Sequence, residues 1–175
     1  MLFPTATFAA FFTLVFPLSW ALRRQGTAWR VAMLVASYVF YGWWDPRFVA
    51  LLAGSSAFNW ALVRVMAPRE GGARKALLVA GIALNLGLLG TFKYAGFLVT
   101  TVRSLLAAVG VARALPALDA ATGPLQAIVL PIGISFFTFQ ALSYVVDVYR
   151  RQVAPVGLLD FAVFLSFFPQ LVAGP

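Results

Sequence analysis

Long apolar runs separated by short basic or Pro/Gly-containing breaks organise this chain. Phe3 to Leu22 is uncharged and interrupted by Pro17. Val31 to Trp44 follows and ends in Tyr38, Phe40, Tyr41, Trp43 and Trp44, an aromatic cluster suited to the lipid headgroup level. Asp45-Pro46 predicts a tight corner, with a third run at Phe48 to Val63 and a fourth at Ala76 to Phe92. Between them, Pro68 to Lys75 reads as a flexible basic loop. Lys93 to Arg113 is apolar but carries Lys93, Arg103 and Arg113, and Ala114 to Gln126 reads as an external loop with Pro116, Asp119, Gly123 and Pro124. Ile128 to Arg151 is the next run. A loop with Pro155 then leads to Leu158 to Phe168 and the terminal Pro169 to Pro175. A bilayer span needs about 20 mostly apolar residues, and several of these runs approach that length. The pattern predicts an all-α, polytopic transmembrane protein of about five to six membrane helices.

Ile128 to Arg151 departs from a plain membrane helix. Its second half acquires Gln140, Ser143, Tyr144, Asp147, Arg150 and Arg151. At about 100° per residue, these six fall within roughly a 120° arc. Polar groups are costly in hydrocarbon, so such a stripe should face protein or a water-filled cavity. One reading is structural: Gln140 and Tyr144 bond a neighbouring helix, and Asp147 pairs with Arg151 one turn on. The other is the wall of a polar tunnel. The residues alone leave both open.

Composition agrees with a membrane protein. Of 175 residues, 62% are apolar and 10% charged, and mean hydropathy is +0.92. A net charge of +8 could point to nucleic acid. The cations sit instead at span ends: Arg23, Arg24 and Arg30, then Arg64, Arg69, Arg74 and Lys75, then Arg150 and Arg151. That distribution marks topology, and nucleic acid is not an expected partner. Arg23 and Arg24 follow the first run rather than precede it, which predicts a retained span with an outside N-terminus instead of a cleaved signal peptide.

Charge also bears on Lys93 to Arg113. A single crossing there would place Arg103 near mid-bilayer, at about 2.5–3.5 kcal/mol. It would also put Arg150 and Arg151 on the side opposite the other basic loops. Both considerations predict an interfacial or re-entrant segment.

Smaller motifs carry packing expectations. Ser55 and Asn59 lie one turn apart and suit interhelical hydrogen bonding, and Gly81, Gly87 and Gly90 would let a neighbouring helix approach. Candidate chemistry is sparse. The chain has no cysteine and no histidine, removing thiolate metal sites, the commonest metal ligand and the commonest general base. Gly133-Ile134-Ser135 opens like a nucleophile elbow, but Phe137 stands where the closing glycine belongs and no histidine could activate the serine. The carboxylates Asp45, Glu70, Asp119, Asp147 and Asp160 form no close pair in sequence. No catalytic residue, metal ligand or bound cofactor is assigned.

The stretch LPIGISFFTFQALSYVVDVYR (residues 130–150) resembles the signature of the membrane-bound O-acyltransferase family, in its alginate O-acetylase-like branch. SYVFYGWWDPRF (Ser37–Phe48), FKYAGF (Phe92–Phe97) and FFPQLVAGP (Phe167–Pro175) support the resemblance in the same order. It implies transfer of an acetyl group from a cytoplasmic thioester donor such as acetyl-CoA to a hydroxyl acceptor, through a tunnel across the bacterial inner membrane. It further implies an exported, alginate-like polysaccharide as destination, with periplasmic acetylation proteins as partners. The family's essential histidine lies downstream of the FPQLVAGP-like motif, so residues 1–175 read as the N-terminal portion of one acyltransferase domain, inactive alone. Gln140, Ser143, Tyr144, Asp147 and Arg150 carry over as tunnel-lining candidates. A transporter or flippase component, with the stripe lining a permeation path, is the alternative reading. A non-catalytic membrane scaffold is a third.

Overall fold

Local chemistry sets where each helix begins. Asp45 accepts the Arg47 backbone N–H at 2.9 Å and Pro46 fills the first helical turn, where its missing N–H is no loss. Gly133 (φ +75°) occupies a left-handed conformation open to glycine, and the next helix starts at Ile134. The computed structural model describes residues 6–43, 45–109, 131 and 133–173. Among them all regular structure is helical: α1 (Ala6–Leu22), α2 (Gly26–Gly42), α3 (Pro46–Met66), α4 (Gly71–Ala108), α5 (Ile134–Tyr149), α6 (Leu158–Ser166) and α7 (Phe168–Ala173).

Helix α3 is the hub and packs against α2, α4, α5 and α6. Leu52, Val63 and Met66 of α3 meet Phe137, Ala141 and Val145 of α5 and Phe161 and Leu165 of α6 in one buried core. A second core is largely aromatic: Phe8 and Phe11 of α1, Phe40 of α2 and Phe168 of α7 pack with ring centroids 5.2–6.0 Å apart. Such pairs add about 0.5–1.5 kcal/mol each beyond area burial. The α3–α4 seam is polar at its centre. Asn59 and Asn85 exchange reciprocal amide bonds of 3.1 and 2.8 Å, and Asn59 also donates to the Ser55 carbonyl at 2.9 Å. The interhelical hydrogen bonding expected here is made by Asn59 alone, while Ser55 bonds Asn59 within α3.

Two helical stretches, Pro46–Met66 and Gly71–Tyr94, are long and apolar enough to cross a bilayer; α1, α5 and the 158–171 region are shorter apolar helices. Helix α4 runs without a break through Lys93 to Ala108, 38 residues in all, about 57 Å at 1.5 Å per residue. The expected interfacial or re-entrant segment is thus the continuation of α4. Cations suggested a boundary there, yet Phe92 to Phe97 contains no proline, and Lys93 reaches over the Tyr94 ring. Helix α5 then returns to the basic end. Arg30–Asp160 (3.0 Å), Arg151–Glu70 (2.7 Å) and Arg74 on the end of α5 gather all three basic segments at one pole of the bundle.

Other expectations are corrected. Residues 71–75 are the first turn of α4 rather than a flexible loop, and Arg74 within them is buried. Helix α2 starts at Gly26, not Val31, because Arg30 can project to Asp160 without ending the helix. In the aromatic cluster, Phe40 and Tyr41 face the core while Trp43 is exposed. Gly81 does permit close approach, since a Cβ there would lie 2.3 Å from Leu62 Cδ2, but Gly87 and Gly90 face open space. The last apolar run breaks at Phe167 (ψ 106°), one residue before α7. The expected external loop at 114–126, the first five residues, Trp44, Arg113, residues 128–130 and Gly174-Pro175 lie outside the described residues.

Candidate functional site

Ser143, Tyr144 and Asp147 project from one face of α5 into a cavity of about 320 Å³, closed by Val153 and Val156 of the α5–α6 loop and by Asp160, Phe161 and Phe164 of α6. Spacing of three and four residues places the three α5 side chains on adjacent turns of one face. The volume sits at the low end of small-ligand sites, roughly 300–1,000 Å³.

Tyr144 is buried and held on two sides. Its ring stacks on Phe161 at 4.6 Å between centroids, and its phenol oxygen accepts the Val156 backbone N–H at 3.0 Å. A phenol that accepts one bond still has its own O–H to donate. The Val156 carbonyl in turn accepts from Trp60 Nε1 at 3.2 Å, so the loop wall is tied to both α5 and α3.

The break before α7 has a local cause. In a continuous helix the Phe168 N–H would bond the Phe164 carbonyl; here Phe168 donates to Ser37 Oγ at 3.2 Å. Gln140 Nε2 fills the vacated Phe164 carbonyl at 2.9 Å. Its Oε1 is buried and has no hydrogen-bond partner among the described residues. An unmatched buried acceptor costs about 1–3 kcal/mol, so this oxygen is a standing place for a donor.

The predicted stripe is therefore divided. Ser143, Tyr144 and Asp147 share the cavity, and Gln140 lies one turn away against its Phe164 wall. Arg150 caps the helix and is exposed. Arg151 has left the helix (φ 61°) and pairs with Glu70, so the expected Asp147–Arg151 pair does not form. Helix α5 ends at Tyr149, two residues short of Arg151, so the helical period does not extend to that residue. Among the described residues no partner is seen for the Asp147 carboxylate, whereas Asp160 is engaged by Arg30 at 3.0 Å.

Asp160 was visible in the sequence only as an isolated carboxylate; its place in the first turn of a helix, where acids are favoured, was the one local signal. Trp60, Val156 and Phe161 gave none. Among the described residues no three acidic, histidine or cysteine side chains gather as a metal site would require. Chemically, the cavity offers the hydroxyls of Ser143 and Tyr144, the Asp147 carboxylate and apolar aromatic walls.

Comparison with known proteins places this arrangement in context. The chain is 42% identical over 147 residues to a Pseudomonas aeruginosa protein named "Probable alginate O-acetylase AlgI", a match covering 82% of this chain and 26% of that protein. A Pseudomonas putida protein of the same name is 41% identical over 147 residues, covering 82% and 28%. A Helicobacter pylori peptidoglycan O-acetyltransferase is 31% identical over 169 residues, covering 82% and 30%. The chain thus spans between a quarter and a third of the length of these relatives. No family model matches the chain, and no solved structure matches it.

Proposed function

We propose that this chain, which belongs to the alginate O-acetylase branch of the membrane-bound O-acyltransferases, forms part of a passage for O-acetyl transfer in the bacterial inner membrane. The observation that carries the reading is the convergence of Ser143, Tyr144 and Asp147 on one cavity with apolar walls. These three residues lie in the long stretch that resembles the family signature. Homologues named for O-acetylation of two different cell-surface polymers support the transfer of acetyl and leave the acceptor general.

In this reading the donor is a cytoplasmic acyl thioester of the acetyl-CoA type, entering from the basic pole. The acceptor is a hydroxyl on the way to an exported polysaccharide, with periplasmic acetylation proteins receiving the product. The acceptor oxygen attacks the thioester carbonyl, the C–S bond breaks, a C–O ester forms, and the hydroxyl proton leaves with the thiol. Apolar walls from Phe161, Phe164 and Val156 keep water from hydrolysing the thioester. In this reading Tyr144 O–H donates to the carbonyl oxygen as charge develops on it, while Asp147 orients the attacking hydroxyl. No histidine is present among the 175 residues, and none of these residues is assigned the role of general base. The multi-pass arrangement of α1 to α6, with the basic pole cytoplasmic, belongs to the same proposal.

Complementation tests it. Cells lacking the gene receive the wild-type gene or one encoding Tyr144→Ala and Asp147→Ala, and ester-bound acetate on surface polysaccharide is measured. Restoration by the wild type alone, at equal protein levels, supports the reading. Equal acetylation by both contradicts it.

A further inference from the structure

Arg74 stands in the first turn of α4, where the helix dipole favours acids over cations. Its side chain is nonetheless 7% exposed. A cation in an unfavourable place on its own helix, and buried there, must serve other elements. One guanidinium nitrogen donates to the Ala67 and Arg69 carbonyls at 3.1 and 3.2 Å, just past the end of α3. The other donates to the Val148 and Tyr149 carbonyls at 2.8 and 3.1 Å, in the last turn of α5. The guanidinium also lies 5.6 Å from the centre of the Tyr149 ring.

The end of α5 needs such a cap. Gln152 N–H bonds the Asp147 carbonyl and Arg151 N–H bonds the Val148 carbonyl, both at 3.0 Å, a Schellman turn. Its left-handed position, which usually holds glycine, holds Arg151 (φ 61°) instead. The turn therefore carries a conformational cost, and Arg74 supplies charge-assisted bonds to the Tyr149 carbonyl and, beside the turn's own bond, to that of Val148. That turn fixes where the α5–α6 loop begins. Val153 and Val156 of this loop, and Asp147 beside the turn, line the cavity.

We propose that Arg74 is a positioning residue for the cavity: it clamps the C-terminal ends of α3 and α5 together and so sets the loop wall against Tyr144. As a statement about the transfer passage, this rests on the function proposed above; as a statement about the loop wall, it stands alone. Lysine at this position keeps the charge that membrane topology responds to but cannot span four carbonyls on two helices.

The test uses Arg74→Lys in the protein as its gene encodes it, with Lys75→Arg, at an exposed neighbouring cation, as control. In detergent, trypsin cleavage after Arg150 or Arg151 should accelerate about tenfold in Arg74→Lys and stay unchanged in the control. In membranes holding equal amounts of protein, the KM for the thioester donor should rise at least about fivefold, a change that mere loss of folded protein does not produce. Unchanged cleavage overturns the clamp. Faster cleavage with unchanged KM and kcat overturns the positioning role. If the wild type transfers no acetyl while cleavage still accelerates, the transfer reading fails and the clamp of the loop wall is upheld.

Discussion

The backbone N–H of Val156 donates to the phenol oxygen of Tyr144 across 3.0 Å, fastening the α5–α6 loop to the helix that carries the cavity's polar side chains. Tyr144 thus has a structural bond through its oxygen, and in the function proposed above its O–H donates into the cavity. Tyr144→Phe should separate them. The ring stays on Phe161, but the Val156 N–H loses its acceptor, at about 1 kcal/mol. Thermal unfolding in detergent should drop by a few degrees, and hydrogen exchange at Val156 should quicken. Acetyl transfer should fall by about tenfold or more, since a cavity donor is lost as well. An unchanged exchange rate at Val156 would show that the bond contributes nothing.

The amide pair at the α3–α4 seam makes a second prediction. Asn59→Leu strands the buried Asn85 amide, and Asn85→Leu strands Asn59; each should destabilise by about 1 kcal/mol, near the upper range for bonds between membrane helices. The double variant should lose less than the sum of the two singles. Strict additivity in this cycle would mean that the two amides are not coupled.

Glycines separate by backbone environment. Gly133→Ala forces φ +75° on a residue with a side chain and sets its Cβ 2.9 Å from the Leu171 carbonyl oxygen, so a loss of at least about 1–2 kcal/mol is expected. Gly81→Ala meets only the mobile tip of Leu62 and should be milder. Gly87→Ala meets nothing and should stabilise α4 by up to about 1 kcal/mol. Thermal midpoints of the three variants in one detergent rank them directly.

At the α2–α3 corner, the Arg47 side chain and backbone N–H both bond Asp45 and hold its carboxyl below the usual carboxylate range. A folded-state value below the unfolded one stabilises the cap at all pH above the unfolded value, about 3.9, and loses that contribution as pH falls through the folded value. Protection of the Arg47 and Phe48 amides, taken against their intrinsic exchange rates, should therefore fall on acidification below about pH 4. Asp45→Asn should abolish that pH dependence. Persistence of the acid step in the variant would assign it to another group.

Much of the fold was readable from apolar runs because long apolar helices declare themselves by length and by their flanking cations. The Asp45-Pro46 corner and the bonding role of Asn59 were legible from residue type alone. Lys93 misled, since a cation on a long flexible stem can lie over Tyr94 without ending a helix. Arg151 misled because periodicity says nothing of where a helix stops; only its positive φ does. Arg74 was legible as a topology marker and illegible as a clamp. Its partners Val148 and Tyr149 are more than 70 residues away, and no local pattern encodes that meeting. Within the candidate site, Ser143, Tyr144 and Asp147 were found by their shared helical face, whereas Asp160 and the loop wall needed the tertiary structure.

In the function proposed above, the cavity of Ser143, Tyr144 and Asp147 belongs to an acetyl-transfer passage. Inside-out membrane vesicles carrying the protein, supplied with acetyl-CoA labelled in its acetyl group, measure this most directly. The account predicts label passing to acceptor hydroxyls with the wild type and a rate at least about tenfold lower with Asp147→Ala at equal protein content. Label transfer by Asp147→Ala and Tyr144→Phe at the wild-type rate would contradict it.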